Sequence, residues 1–245
     1  MSATTTLATA GRVLSQIRRD PRTIALLLVV PALLLVLLYF MFDGDRHTFQ
    51  SIGAPLCGLL PFMIMFMVTS IAMLRERTSG TLERLMTLPL AKSDVLAGYG
   101  LAFGLLASIQ AVVVCGVGFA ALGLDAAHGA WLVGLFAIGN AVLGMALGLL
   151  VSAFAKTEFQ AVQFMPALIL PQFLLCGLFV SRSEMADVLH AASWTLPLTY
   201  AYDALKRATD PGTLGTAAAI DIAAVIGATV AALAFGALTL RRRTG

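Results

Sequence analysis

Six long apolar runs, separated by short polar breaks, organise this chain. They fall near Thr23–Phe42, Ala54–Leu74, Val95–Leu122, Ala130–Phe154, Ala161–Val180 and Thr216–Leu240. Each reaches about the 20 residues that a helix needs to cross a bilayer core. The runs are continuous rather than alternating with period two, which excludes barrel strands. The first is too long and leucine-dense for a signal peptide, and no small-residue cleavage site follows it. The pattern predicts an all-α integral membrane protein with six transmembrane helices, read as a single transmembrane domain over residues 1–245.

Composition agrees. Hydrophobic residues make up 59% of the 245 positions and charged residues only 12%, too few to give a soluble domain a polar surface. The mean hydropathy is +0.91. A net charge of +3 is too small a bias to point to nucleic acid. Cys57, Cys115 and Cys176 sit inside apolar runs without CxxC spacing, so they read as packing residues, not a disulfide framework or zinc site.

The basic residues orient the spans. With the N-terminus inside, the cytoplasmic segments hold twelve of them: Arg12, Arg18, Arg19, Arg22, Arg75, Arg77, Arg84, Lys92, Lys156 and Arg241 to Arg243. Four lie outside: Arg46, Arg182, Lys206 and Arg207. That bias fits the positive-inside rule and puts both termini in the cytoplasm.

Residues 1–22 read as an amphipathic interface helix, with Leu7, Leu14 and Ile17 on one face and Arg12, Gln16 and Arg19 reaching lipid headgroups from another. Asp20-Pro21 ends it. The outer loop Asp43–Gly53 and the turn Asp125–Gly129 leave no room for a domain. The pairs Gly100/Gly104 and Gly144/Gly148 have the spacing that lets helices approach closely. In the outer segment, Met185, Val188, Leu189 and Ala192 repeat as an apolar helix face. Ser193 to Pro197 reads as a turn between two short helices, and Trp194 and Tyr200 suit the membrane–water interface.

On these boundaries no Lys, Arg, Glu or His lies deep in a span, and Asp221 sits near an outer end. Proton- or ion-coupled carriers need such groups. The polar residues within the spans are Asn140, Gln163, Gln172 and several hydroxyls, whose default role is hydrogen bonding between helices. Met63, Phe66, Met67, Gln163, Phe164, Gln172 and Phe173 make the second and fifth spans a candidate lining for an apolar or amphipathic guest, since Met and Phe adapt to irregular shapes. Ordinary lipid and core contact explains them equally well. No catalytic grouping is visible. The glycines from Gly53 to Gly58 have the spacing of a phosphate loop, but Leu59-Leu60 follow where Lys-Ser/Thr is needed. Glu184, Asp187 and His190 read as a solvated helix face rather than a metal cluster.

The charged insert Arg75–Pro89 stands out in so apolar a chain. Thr78 or Ser79 is placed to cap a new short helix, Glu83 lies near its positive end, and Pro89 stops it. Leu82, Leu85 and Met86 share one face, which suits docking in a groove on another protein or lying on lipid.

Arg75-Glu76-Arg77, then Gly80-Thr81-Leu82-Glu83-Arg84-Leu85 and Pro89-Leu90, resembles the signature of the ABC type-2 export permeases, the family of the daunorubicin-type drug exporters and polysaccharide exporters. The resemblance extends to Arg19-Asp20-Pro21-Arg22 and to Pro197-Leu198-Thr199-Tyr200, and so covers essentially the whole chain. It implies that Arg75 to Thr87 is a coupling helix within an inner segment spanning 75–93, docked on a separate ATP-binding subunit present in two copies. It implies re-entrant helices over 181–215, a second permease as homo- or heterodimer, and a route lined by the second and fifth spans. ATP and Mg would be bound by the partner; this chain would hold no cofactor or metal and would not itself be an enzyme. The implied function is ATP-driven export of a hydrophobic or amphipathic compound through the cell membrane. A non-transporting scaffold or sensor subunit, an ion channel and a secondary carrier are the alternatives. One departure concerns Gly98, which many relatives follow with a basic residue and this chain follows with Tyr99.

Overall fold

Two aspartates start the first two long helices in the same way. Asp20 accepts hydrogen bonds from the Thr23 amide at 3.2 Å and its hydroxyl at 2.6 Å; Asp45 accepts from Thr48 at 3.1 and 2.6 Å. Each carboxylate satisfies a backbone donor that a first helical turn leaves open. This computed structural model describes residues 3–81, 92–212 and 214–239. Leu82, Glu83, Arg84, Leu85 and Met86 of the expected coupling helix lie outside the described residues.

In chain order the helices are α1 (Ala3–Arg18), α2 (Pro21–Met41), α3 (Arg46–Thr78) and α4 (Lys92–Gly116), which continues as a π turn over Val117–Ala121. Next come α5 (Ala130–Val151), α6 (Glu158–Phe164), a π turn (Met165–Ile169) and α7 (Leu170–Leu175). A 3-10 turn (Arg182–Glu184) precedes α8 (Asp187–Ser193), α9 (Pro197–Thr209) and α10 (Gly215–Thr239). Among the described residues five helical stretches are long and apolar enough to cross a membrane: α2, α3, Asp94–Ala121, α5 and α10. The fifth expected span is a helical stretch over residues 158–175, interrupted by its π turn. Pro166 lies in that turn and Pro171 just beyond; each removes an amide donor and crowds the carbonyl four residues back.

The expected outer loop Asp43–Gly53 is mostly helix. Asp45 starts α3 early, so α3 runs for 33 residues, about 50 Å at 1.5 Å per residue. That exceeds the roughly 30 Å hydrocarbon core, so its polar ends stand beyond it.

Burial concentrates where α3 lies against α5. Phe62, Met65 and Phe66 are fully enclosed there. A Cβ at Gly144 would stand 2.2 Å from the Phe62 carbonyl oxygen, and one at Gly148 2.1 Å from Thr69 Oγ1. Gly144/Gly148 is therefore a close-approach site. Gly100/Gly104 is not: Gly100 faces open space and the nearest atom to a Cβ at Gly104 is 3.9 Å away.

Gln110, absent from the polar residues expected in the spans, is fully buried and donates to the Leu27 carbonyl at 2.9 Å. Leu27 is the residue whose helical acceptor role Pro31 leaves unfilled, because proline lacks the amide that would reach four residues back. Gln110 fills the gap from α4. Asn140 makes a comparable bond across the core, donating to the Gly58 carbonyl at 3.1 Å.

α1 buries a small-residue face beside the expected apolar one, of which Leu14 and Ile17 also pack, half-buried, against the core. Thr6, Thr9, Ala10 and Val13 face the bundle, while Leu7 is exposed. Small residues win because Gly98 of α4 lies directly beneath: a Cβ there would stand 2.6 Å from Thr9 Cβ. Close backbone approach favours this face, and Leu7 is left to an apolar surrounding.

Candidate functional site

At the end of the bundle where α3 terminates, three other helices converge on two of its consecutive residues. Arg12 of α1 reaches Glu76 of α3, its two terminal nitrogens lying 3.5 and 3.4 Å from the two carboxylate oxygens. The same guanidinium donates to the Tyr99 hydroxyl of α4 and lies 5.6 Å from its ring centre. One residue earlier, Arg75 makes a bidentate pair with Glu158 at the start of α6, at 2.7 and 2.9 Å. This guanidinium holds the Glu158 carboxyl below the usual carboxylate range. The Arg75–Glu158 pair is solvent-exposed and contributes little by itself. Glu76, by contrast, is buried, and an acid there requires its partners.

Arg12 thus does not reach for lipid headgroups, as its position on the polar face suggested. Tyr99 is buried and fully engaged at the position where many relatives carry a basic residue, and a guanidinium arrives there from α1 instead. A cavity of about 440 Å³ opens beside the cluster, lined by Gln16, Asp20, Arg75, Glu76, Tyr99 and Phe103 among others. Nε and Nη2 of Arg77, both buried, have no hydrogen-bond partner among the described residues.

Thr78 and Ser79 close the C-terminal end of α3; the new helix that either was expected to cap lies, beyond Thr81, outside the described residues. Ser79 caps the C-terminus of α3, its amide donating to the Arg75 carbonyl at 2.9 Å, and the Thr78 hydroxyl donates back to Leu74 at 3.1 Å. Gly80 follows with φ +73°, the left-handed step that ends helices and that a side chain would strain. Thr81, the next residue of the expected coupling set, donates or accepts with Ser79 at 3.0 Å.

At the opposite end, α8 and α9 form the expected hairpin with its turn at Trp194 to Leu196. Pro197 occupies the first position of α9, and the Tyr200 hydroxyl donates to the Trp194 carbonyl at 2.8 Å. The expected apolar face is not packed: Met185 precedes the helix in extended backbone, and Val188 and Leu189 are exposed. Glu184 lies in the 3-10 turn, so it does not share a helix with Asp187 and His190, which both belong to α8. No metal-binding cluster occurs among the described residues. Two ion pairs brace the region: Arg182–Asp203 at 2.5 Å and Arg207–Asp221 at 2.9 Å. Asp221 is thus a buried, paired acid two turns into α10.

Against known families, the model of the ABC-2 type transporter matches residues 4–208. The chain belongs to the ABC-2 type transporter family. It is a multi-pass protein of the cell membrane. One similar protein is the "Probable multidrug ABC transporter permease YbhR" of Escherichia coli strain K12, 27% identical over 155 residues. The match takes in 62% of this chain and 41% of that protein. Another is "ABC transporter G family member 20" of Dictyostelium discoideum, 24% identical over 167 residues, 68% of this chain and 23% of that one. In both cases the match spans less than half of the relative's length.

In this ABC-2 type transporter chain the candidate lining residues do not form one surface. Phe66 is enclosed in the core, and Gln172 is buried with its amide donating to the Leu168 carbonyl at 3.0 Å. Met63, Met67, Phe164 and Phe173 are half-buried, and Gln163 is exposed. Arg12, Tyr99 and Glu158 were not among the expected site residues. The only cue to any of them was the unusual tyrosine after Gly98.

Proposed function

We propose that the chain is the permease subunit of an ATP-driven ABC exporter that moves a hydrophobic or amphipathic compound out of the cell. One observation carries this reading: Arg75 and Glu76 tie the end of α3 to α1, α4 and α6 where the coupling segment begins. A push on that segment would reach four elements at once.

In this reading residues 158–175 form the fifth of six spans; 18 helical residues extend about 27 Å, close to the hydrocarbon thickness. Both termini lie in the cytoplasm, as the twelve-to-four distribution of basic residues favours. The hairpin of α8 and α9 dips into the outer leaflet, which would cover Val188, Leu189 and Trp194. Two ATP-binding subunits, each holding ATP and Mg, serve the pair of permeases, and one of them docks on the segment from Arg75 to Thr87 of this chain. Glu83 and Arg84 make the polar contacts, and Leu82, Leu85 and Met86 fill the groove. The permease itself performs no hydrolysis. A second permease completes the route, with Met63, Met67, Gln163, Phe164 and Phe173 on the paired surfaces.

The test is transport. A complex of this chain with its ATP-binding subunit, reconstituted in vesicles, should accumulate a hydrophobic cationic dye only with hydrolysable ATP. ATP hydrolysis without movement of any such compound would indicate a scaffold or sensor. Current without ATP would indicate a channel.

A further inference from the structure

The helical stretch 158–175 is divided between two sets of neighbours. Its inner part, α6, packs against the end of α3. Ala161 is buried there with Leu74 and Ala155, and Ile71 and Phe164 pack beside them. Glu158 adds its two hydrogen bonds from Arg75, at 2.7 and 2.9 Å. The outer part, α7, packs against α8 and α9. The chain just beyond it is fastened to α9 as well. Cys176 is fully buried, a Cβ at Gly177 would meet the Tyr202 ring at 3.3 Å, and Arg182 pairs with Asp203.

Between the two parts the regular backbone ladder is interrupted. Over Met165–Ile169 the helix widens to a π turn, and the Leu170 amide donates to the Met165 carbonyl five residues back. Pro166 and Pro171 supply no amide. The Val162 carbonyl takes the Met165 amide, three residues on, in place of the donor that Pro166 lacks. The Leu168 carbonyl receives the Gln172 side-chain amide at 3.0 Å. Sharp bends in helices gather at prolines and π turns. Small dihedral changes at such a place redirect whole segments.

We propose that this π turn is a hinge. On one side α6 moves as a body with the end of α3; on the other α7 moves with the α8–α9 hairpin, and the angle between them changes at Met165–Ile169. The Arg75–Glu158 pair is the tie that makes α6 follow α3. Gln172 is a positioning residue that braces the turn through Leu168. The hinge serves transport by carrying a displacement of the coupling end across to the hairpin. That use rests on the exporter reading above, whereas the bending itself depends only on this chain.

Spin-label distances on the full chain in lipid nanodiscs test the bending. Nitroxides on Phe159→Cys and Leu174→Cys span the turn; on Ile220→Cys and Phe235→Cys they span the same 15 positions of the uninterrupted α10. All four side chains are exposed and the native cysteines are buried. Labelled chain is diluted with unlabelled chain, so that only distances within one molecule are read. The pair across the turn should give a distribution clearly wider than the α10 pair. Pro166→Ala/Pro171→Ala, which restores both amides, should narrow it to the α10 width. Gln172→Leu, which keeps both prolines, should widen it further. A distribution as narrow as that of α10 in the parent, or a width that none of these changes moves, would overturn the hinge. In vesicles with the ATP-binding subunit, the double alanine variant should keep its ATP hydrolysis and lose most dye accumulation. Accumulation at the parent rate by a chain with the narrowed distribution would overturn the role of the hinge in transport. A parent that moves no dye would contradict the exporter reading, while the distances still decide the hinge.

Discussion

Arg12 and Glu76, 64 residues apart in sequence, meet where the N-terminal helix crosses the end of α3. The acid is buried and the guanidinium is about one-third exposed, so the pair is partly screened but not freely solvated. Arg12→Ala leaves a buried acid short of donors and should lower stability by about 1–3 kcal/mol. Tyr99→Phe should act in the same direction and not add fully to it, because the three groups form one network. A double-mutant cycle on thermal unfolding of the detergent-solubilised chain measures this coupling.

Gly98 and Gly144 are both contact glycines, with different consequences. Gly98→Ala must push α1 outward, since the new methyl would stand 2.6 Å from Thr9 Cβ and 2.9 Å from the Thr6 carbonyl oxygen. A cysteine placed at Thr9 should then react faster with a soluble thiol reagent. Gly144→Ala meets rigid backbone at the Phe62 carbonyl and should destabilise the core by about 1–3 kcal/mol or more. Ala at Gly100, which faces open space, should leave thermal stability nearly unchanged.

Gln110 compensates for Pro31. Gln110→Leu strips the Leu27 carbonyl of its donor within the bundle and should cost about 0.6–2 kcal/mol. Pro31→Ala restores a backbone amide to that carbonyl. The double variant Pro31→Ala/Gln110→Leu should therefore recover most of the loss, which unfolding midpoints of the four chains will show.

The Thr48 hydrogen bonds hold the Asp45 carboxyl below its usual range. A depressed folded pKa means the cap stabilises the chain above the unfolded value, about 3.9. That contribution disappears as pH falls through the lower folded value. Asp45→Asn should thus unfold at a lower temperature than the parent near neutral pH, and the gap should close on the acid side. Melting curves of both chains from about pH 6 downward check the sign.

Much of the architecture was legible because a membrane helix announces itself by the length of its apolar run. Pro21–Met41 and Gly215–Thr239 lie within a few residues of the runs that predicted them. The true length of α3 was hidden because its ends are polar, and only the Asp45 cap marks where it starts. The fifth run was legible as apolar but not as interrupted by a π turn, since prolines in membrane helices are tolerated in several geometries. The charged motif at Arg75–Arg77 was legible; its wiring was not. Tyr99 and Glu158 reach it from 87 and 83 positions away from their partners, and nothing local marks such pairs. The small-residue face of α1 was not legible for a related reason: Leu7, Leu14 and Ile17 mark the apolar face, while Thr6, Thr9 and Ala10 make the close contact with α4.

Docking of an ATP-binding subunit on the segment after Gly80 is most directly tested in the reconstituted complex. Leu85→Asp and Glu83→Lys permeases, co-assembled with that subunit in vesicles, are compared with the parent for ATP-dependent dye accumulation and substrate-stimulated ATP hydrolysis. Both activities should fall sharply together, while the chains still insert and fold. Full transport and full stimulation in both variants, with the complex still assembled, would contradict the coupling role of this segment.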